Sequence, residues 1–242
     1  MRINVILIIF LILTTPHSMA SQPFKVVVGL SKPPYVIKES LSGFELELIQ
    51  QVLTTIGKKP EFIFIPYGRS EKMLELPDIS AVITVNEQMF PHSKALSEIY
   101  INYQNVAISL KKKAITLNKI SDISRYSIAS FQLADKVLGH EFATAVATSD
   151  IFIQVANQEK QVELLMRDRV DILVMDIKIF FYYWHKLTVS EKENSVDIHH
   201  IFPLSPYRVA FKNSENVEVF NQALKNYKLS DQYQKLIEKY NF

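Results

Sequence analysis

The hydrophobic positions change their spacing several times along the chain, and each change predicts an element. Residues 24–30 (FKVVVGL) form a short run rich in β-branched side chains, which predicts a buried strand. Then Phe44, Leu48, Ile49, Val52, Leu53 and Ile56 recur every three to four residues, the spacing of one helix face. Ser42-Gly43-Phe44-Glu45 reads as a capping box that opens this helix, and Gly57 as its stop. Strands follow over 61–65 and 79–85, with a short helix over 69–76 between them. Strands alternating with helices point to an α/β unit with a mostly parallel sheet.

Past Tyr100 a second series begins. Residues 103–110 are strand-like and run into Lys111-Lys112-Lys113, read as a solvated stretch. The pattern then predicts a strand over 126–130, a helix from about Ala134, a helix over 159–167, a strand over 170–175 and a helix over 177–186. Strand-like residues 196–202 and 207–211 precede two amphipathic helices within 217–242. The chain thus divides into two α/β lobes, with its end returning to the first, and it shows no internal repeat.

The first twenty residues read differently. Arg2 is the only charged side chain before Lys25, an apolar run covers 5–13, Thr14-Thr15-Pro16 breaks it, and Ser18-Met19-Ala20 places small residues where a signal peptidase reads. This order predicts a secretory signal cleaved after Ala20, with a periplasmic mature protein if the source is Gram-negative. The run is too short for a permanent membrane span. A buried N-terminal helix is the plain alternative, and the Ser-Met-Ala end fits it poorly.

Composition narrows the chemistry. Of 242 residues 48% are hydrophobic and 11% aromatic, enough to fill a real core. Twenty-seven basic against 25 acidic residues leave a net charge of only +2, which argues against nucleic acid as a partner. The absence of cysteine excludes disulfides, thiolate metal sites, a lipoprotein anchor and cysteine nucleophiles. None of the five glycines falls in a phosphate-cradling pattern. His199 and His200, with His185 upstream, invite a metal reading, but neighbours on a strand point to opposite faces, so no metal and no cofactor is expected. The aromatic run from Phe180 to Trp184 is explained by core packing on a helix.

Several segments, taken in order, resemble one family. They are Val28-Gly29-Leu30 with Pro33-Pro34-Tyr35, then Gly43-Phe44-Glu45-Leu46-Glu47-Leu48, Asp78-Ile79, Ser97-Glu98-Ile99-Tyr100 and Ile120-Ser121-Asp122-Ile123. Arg169-Val170-Asp171-Ile172 leads to Met175-Asp176, and Tyr207-Arg208-Val209-Ala210-Phe211 precedes the helical tail. From about Phe24 to Phe242 the series resembles the bacterial extracellular solute-binding proteins of family 3, the receptors of amino-acid-type ABC importers. The resemblance implies a type II periplasmic-binding fold. Lobe one would hold 22–107 plus 206–242 and lobe two 108–205. Two chain crossings, near 106–110 and 202–206, would form a hinge around a ligand cleft. A cleft at the carboxyl ends of strands agrees with the general placement of ligands in open α/β sheets.

The resemblance also implies site residues. Tyr35 stands where the family keeps an aromatic against the ligand; the plain alternative is an exposed turn tyrosine. Asp176 stands where an acid often takes the ligand's ammonium, although aspartate there also suits a helix N-cap. Arg69 opens a short helix, where a cation opposes the helix dipole and suggests an anionic partner; the alternative is a surface arginine. The family's groups for an α-carboxylate, counted back from Ser97, fall on Ile83, Val85 and Phe90, which lack the polar atoms. Its Gly-Thr segment in lobe two is replaced by Phe131-Gln132-Leu133-Ala134. Thr84, Asn86, Phe131 and Gln132 remain as candidate ligand contacts, with Arg69 as a replacement for the carboxylate partner.

The expected function is a non-enzymatic periplasmic receptor that closes on a small polar solute, an amino acid or a related compound, and delivers it to a membrane ABC permease. The expected state is a monomer. Alternatives are a dehydratase of prephenate-like substrates on the same scaffold, a soluble receptor for a separate sensor protein, and an orphan whose pocket has drifted from ligand binding.

Overall fold

A computed structural model describes residues 23–91, 93, 95–188 and 195–242. The expected signal segment lies outside these residues. Among the described residues, ten strands sort into two five-stranded sheets. The first has the order β2 (Pro60–Phe64), β1 (Phe24–Val28), β3 (Ala81–Val85), β10 (Ser205–Phe211), β4 (Ile101–Tyr103). The second has the order β7 (Phe152–Val155), β6 (Ile128–Phe131), β8 (Ile172–Asp176), β5 (Asn105–Leu110), β9 (Val196–His199).

The two sheets follow one scheme. In each, the first three strands pair in parallel and the fourth runs antiparallel to both its neighbours, the third and the fifth. The fourth strand is the one arriving from the other sheet: the chain leaves the first sheet at Gln104 and returns between His199 and Ser205. The first crossing therefore precedes 106–110. Residues 105–107, expected in lobe one, pair with β8 and β9 in the second sheet. Fully buried side chains along β5 explain why that stretch is strand and not connector. The two crossings are tied to each other. Gln104 Nε2 donates to Phe202 O at 3.1 Å, and Asn105 Nδ2 donates to Ser205 Oγ at 2.8 Å.

Helix α1 (Phe44–Thr55) packs Leu46, Leu48, Ile49, Val52 and Leu53 into the first lobe's core. It ends as expected: Gly57 takes φ 71°, and Gly57 N–H and Lys58 N–H donate back to Thr54 O and Leu53 O. Its start differs from the expected capping box. The N-cap is Gly43, and Glu45 is buried away from the helix end. A Cβ on Gly43 would lie 2.3 Å from Tyr35 O, so only glycine lets these two backbones approach. The helix expected over 69–76 shortens to α2 (Ser70–Met73), preceded by a 3-10 turn at Tyr67–Arg69.

In lobe two the helix expected from about Ala134 is two, α3 (Ala134–Val137) and α4 (His140–Ala147), broken at Gly139 with φ 89°. The sequence reading missed strand β7, although Ile151-Phe152-Ile153-Gln154-Val155 is mostly apolar and β-branched; it lies at a sheet edge with its side chains half-buried or exposed. Helices α5 (Gln158–Met166) and α6 (Ile177–Leu187) cover the sheet; Phe180, Tyr183 and Trp184 of the aromatic run are buried and Tyr182 is exposed. Lys112 and Lys113 both pair with Asp168, and Lys113 also pairs with Asp171, so this stretch is pinned by acids and not simply solvated. Helices α7 (Glu215–Lys228) and α8 (Asp231–Tyr240) return to pack on α1.

Candidate functional site

Between the sheets lies a cleft with a cavity of about 40 Å³, partly open to solvent. All six parallel strands have their carboxyl ends or following turns in its wall. Gly29, Leu30 and Lys32 follow β1, Tyr67 follows β2, and Thr84 closes β3. From lobe two come Phe131 and Gln132 after β6, Ala156 and Gln158 after β7, and Asp176 with Ile179 after β8. Parallel strands converge there by construction, which is why open α/β sheets bind ligands at that edge.

One wall is built on a buried ion pair. Lys32 and Glu45 are 5% and 0% exposed, with Lys32 Nζ 3.0 Å from Glu45 Oε2. Four donors surround the carboxylate. Thr84 Oγ1 and Tyr100 OH donate to Oε1, and Lys32 Nζ and Tyr103 OH to Oε2. Burial alone would push the Glu45 carboxyl up, but the Lys32 charge and the three hydroxyls outweigh it and hold it below the ordinary carboxylate value. For Lys32 burial wins and pulls the ammonium down, with Glu45 opposing. Lys32 Nζ also donates to Thr84 Oγ1 at 2.7 Å and lies 5.1 Å from the centre of the Tyr103 ring.

Thr84 is held in an unusual backbone state. Its φ is 60°, left-handed for a β-branched residue. Near it Ile83 and Thr84 together oppose only Val209, a bulge in the pairing of β3 with β10. Tyr67 OH donates to Thr84 O, and Thr84 N–H donates to Tyr100 OH at 2.8 Å, which fixes the twist. The bulge aims the Thr84 hydroxyl at the Lys32–Glu45 pair.

The other wall carries Asp176, 2% exposed. It is the N-cap of α6: Oδ1 accepts the N–H groups of Lys178 and Ile179 at 2.9 and 3.1 Å. Its Oδ2 accepts Tyr35 OH at 3.0 Å and Gln104 N–H at 2.9 Å. Burial raises its carboxyl to about 6 against the opposing pull of these four donors. The Tyr35 hydroxyl is pushed up by burial and by Asp176.

Tyr35 joins the lobes and is not an exposed turn residue. It is 2% exposed, stacks on Tyr103 at 3.8 Å and reaches Asp176 behind the cleft wall. Three other contacts span the cleft: Gly68 N–H donates to Gln132 Oε1 at 3.2 Å, Asn86 Nδ2 donates to Val137 O at 3.2 Å, and Lys136 pairs with Glu71. Lys178, in the first turn of α6, sits 4.5 Å over the Phe242 ring, which stacks on Phe44. The lobes are therefore closed on each other.

Of the residues singled out in the sequence, Thr84, Phe131, Gln132 and Asp176 line the cleft. Tyr35 and Asn86 stand behind it as contacts between lobes. Arg69 is exposed and outside the lining, beside the four-residue α2, whose dipole is too short to constrain it. Ile83 and Val85 are buried in the core and Phe90 packs against it. Lys32, Glu45, Tyr67, Asn105 and Gln158 escaped the sequence reading. One signal was available for Glu45, which shares a helix face with Ile49 and Val52 by spacing. His199 shares a 3.0 Å hydrogen bond with Ser109 Oγ, and among the described residues no cluster of His, Asp and Glu could hold a metal.

No family model and no curated protein matches the sequence. Solved structures do match in shape. An ancestral arginine-binding protein bound to arginine superposes with a TM-score of 0.75 at 20% identity, over 90% of this chain and 98% of that one. A substrate-binding protein of an ABC uptake transporter from Streptococcus pneumoniae, with bound histidine, gives 0.73 at 16% identity over 90% and 92%. A histidine kinase sensor domain with similarity to periplasmic binding proteins gives 0.75 at 14% identity over 90% and 96%. The fold is that of the type II periplasmic binding proteins, two lobes joined by two crossings.

Proposed function

We propose that the protein is a non-enzymatic periplasmic receptor that closes on a small polar solute, an amino acid or a related compound, and hands it to a membrane importer. The observation that carries this reading is the cleft itself, a chamber at the carboxyl ends of parallel strands with polar atoms left for a guest. Gln158 Oε1 is buried on its wall without a hydrogen-bond partner. A buried acceptor left empty costs about 1–3 kcal/mol, so a ligand donor there would be favoured. Among the described residues no helix is long and apolar enough to cross a membrane.

A second reading, an enzyme on this scaffold, is favoured by one observation: Asp176, raised to about 6, lies in the cleft as a potential proton donor. Its oxygens already accept four hydrogen bonds, which supports a structural role instead.

A thermal-shift screen against amino acids, organic acids, carboxamides and prephenate tests the receptor. A solute that binds only the folded protein stabilises it by roughly 2.7 kcal/mol at a hundredfold excess over Kd. A shift without turnover is expected; prephenate turnover would establish the enzyme, and a flat screen would remove the receptor reading.

A further inference from the structure

The charged groups of the cleft are committed to one another, and that restricts the guest. A carboxylate offers about four acceptor positions. Glu45 receives Thr84, Tyr100, Lys32 and Tyr103; Asp176 receives Tyr35, Gln104, Lys178 and Ile179. Neither has an acceptor position left for a ligand ammonium. Lys32 is the cation of the lining, and it places two of its three N–H groups on Thr84 and Glu45. A ligand carboxylate drawn to the third N–H would lie close to Glu45, 3.0 Å from the same nitrogen, and would be repelled by it.

Uncharged hydrogen-bonding atoms are what remain. The third Lys32 N–H is a donor. Gln132 lines the cleft, and with its Oε1 accepting Gly68 N–H its Nε2 donors are left over. Gln158 Oε1 is a buried acceptor without a partner. Tyr67 and Phe131 add aromatic surface from opposite lobes. Two donors and one acceptor beside aromatic rings match a carbonyl with its adjoining N–H.

Resting on the receptor reading, we infer that the solute is an uncharged carboxamide or lactam: Lys32 and Gln132 donate to its carbonyl oxygen, and Gln158 Oε1 accepts its N–H. A zwitterionic α-amino acid would bring an ammonium and a carboxylate to a cleft whose charges are already paired.

Calorimetric titration of the purified protein with nicotinamide, 2-pyrrolidone, nicotinate, L-glutamine and L-arginine tests this, beside Gln158→Met and the cleft-filling Gly29→Leu. The expected result is that nicotinamide or 2-pyrrolidone binds at least tenfold tighter than nicotinate and both amino acids. Gln158→Met then weakens it at least tenfold with a melting temperature of the free protein no lower than the parent's. An amino acid or nicotinate that binds better, and loses binding in Gly29→Leu, overturns the inference and leaves the receptor standing. Amide binding that Gln158→Met leaves unchanged overturns the assignment of the acceptor. Silence from all five compounds overturns this inference; silence from the wider solute screen as well overturns the receptor.

Discussion

Replacing Lys32 by methionine keeps the length of the side chain and removes its charge, which isolates the contribution of the buried pair. Glu45 would remain in the core, 0% exposed, with only the hydroxyls of Thr84, Tyr100 and Tyr103 to stabilise it. Breaking a buried pair from one side costs about 3–5 kcal/mol. The three hydroxyls persist, so the expected loss is at the lower end, about 3 kcal/mol, or roughly 6–12 °C in melting temperature for a chain of this size. The pH dependence changes sign as well. In the parent, Glu45 is held below its ordinary value, so its stabilisation is present above about pH 4.5 and lost as pH falls. Without Lys32, burial dominates, the folded carboxyl rises above the unfolded one, and stability falls as pH increases from about 4. Urea unfolding of Lys32→Met, Glu45→Gln and the double variant, each at pH 4.5 and 7.5, measures all of this. The double variant should recover about 2 kcal/mol relative to the sum of the singles. A Lys32→Met loss under about 1 kcal/mol, or additivity within about 0.5 kcal/mol, would refute the paired-charge account.

Other consequences are simpler to read. Asp176 is raised to about 6 in the folded state from 3.8, so between those values the folded protein holds a proton the unfolded chain releases. The parent therefore loses on the order of 3 kcal/mol as pH rises from 4 to 6, and Asp176→Asn should flatten that slope in denaturant titrations. Gly43→Ala sets a Cβ against Tyr35 O at a φ of 117° and should cost more than about 2 kcal/mol in the same assay. Arg69→Ala, outside the cleft lining, should leave solute affinity within about twofold by calorimetry.

Much of the fold was legible because hydrophobic spacing tracks element type. Strands β1, β2, β3, β8 and β10 and helices α1, α5, α6, α7 and α8 all lie where the pattern placed them, to within a few residues. What failed did so for physical reasons. Edge strand β7 is a short apolar run, Ile151 to Val155, of a length that periodicity alone does not assign to strand or helix, and Gly139 interrupts a helix that periodicity alone continues. The site was less legible. Thr84, Phe131, Gln132 and Asp176, named from the sequence, line the cleft because they sit at strand ends, which local patterning locates. Lys32 and Glu45 are 13 residues apart and meet only once α1 packs under the turn after β1; read locally, Glu45 was a helix cap. Arg69 attracted attention through a dipole argument that a four-residue helix does not support.

The central claim is that one solute occupies the cleft between the lobes. Gly29 lines that cleft, and the nearest atom to a Cβ there is Tyr67 Cδ2 at 3.8 Å, so a leucine would project into the empty space without a backbone clash. Calorimetric titration of the solute found by screening, onto the parent and onto Gly29→Leu, is the most direct test. The account predicts one-to-one binding to the parent and none to a Gly29→Leu variant with parental circular dichroism. Equal affinity in the two proteins would place the solute elsewhere and contradict it.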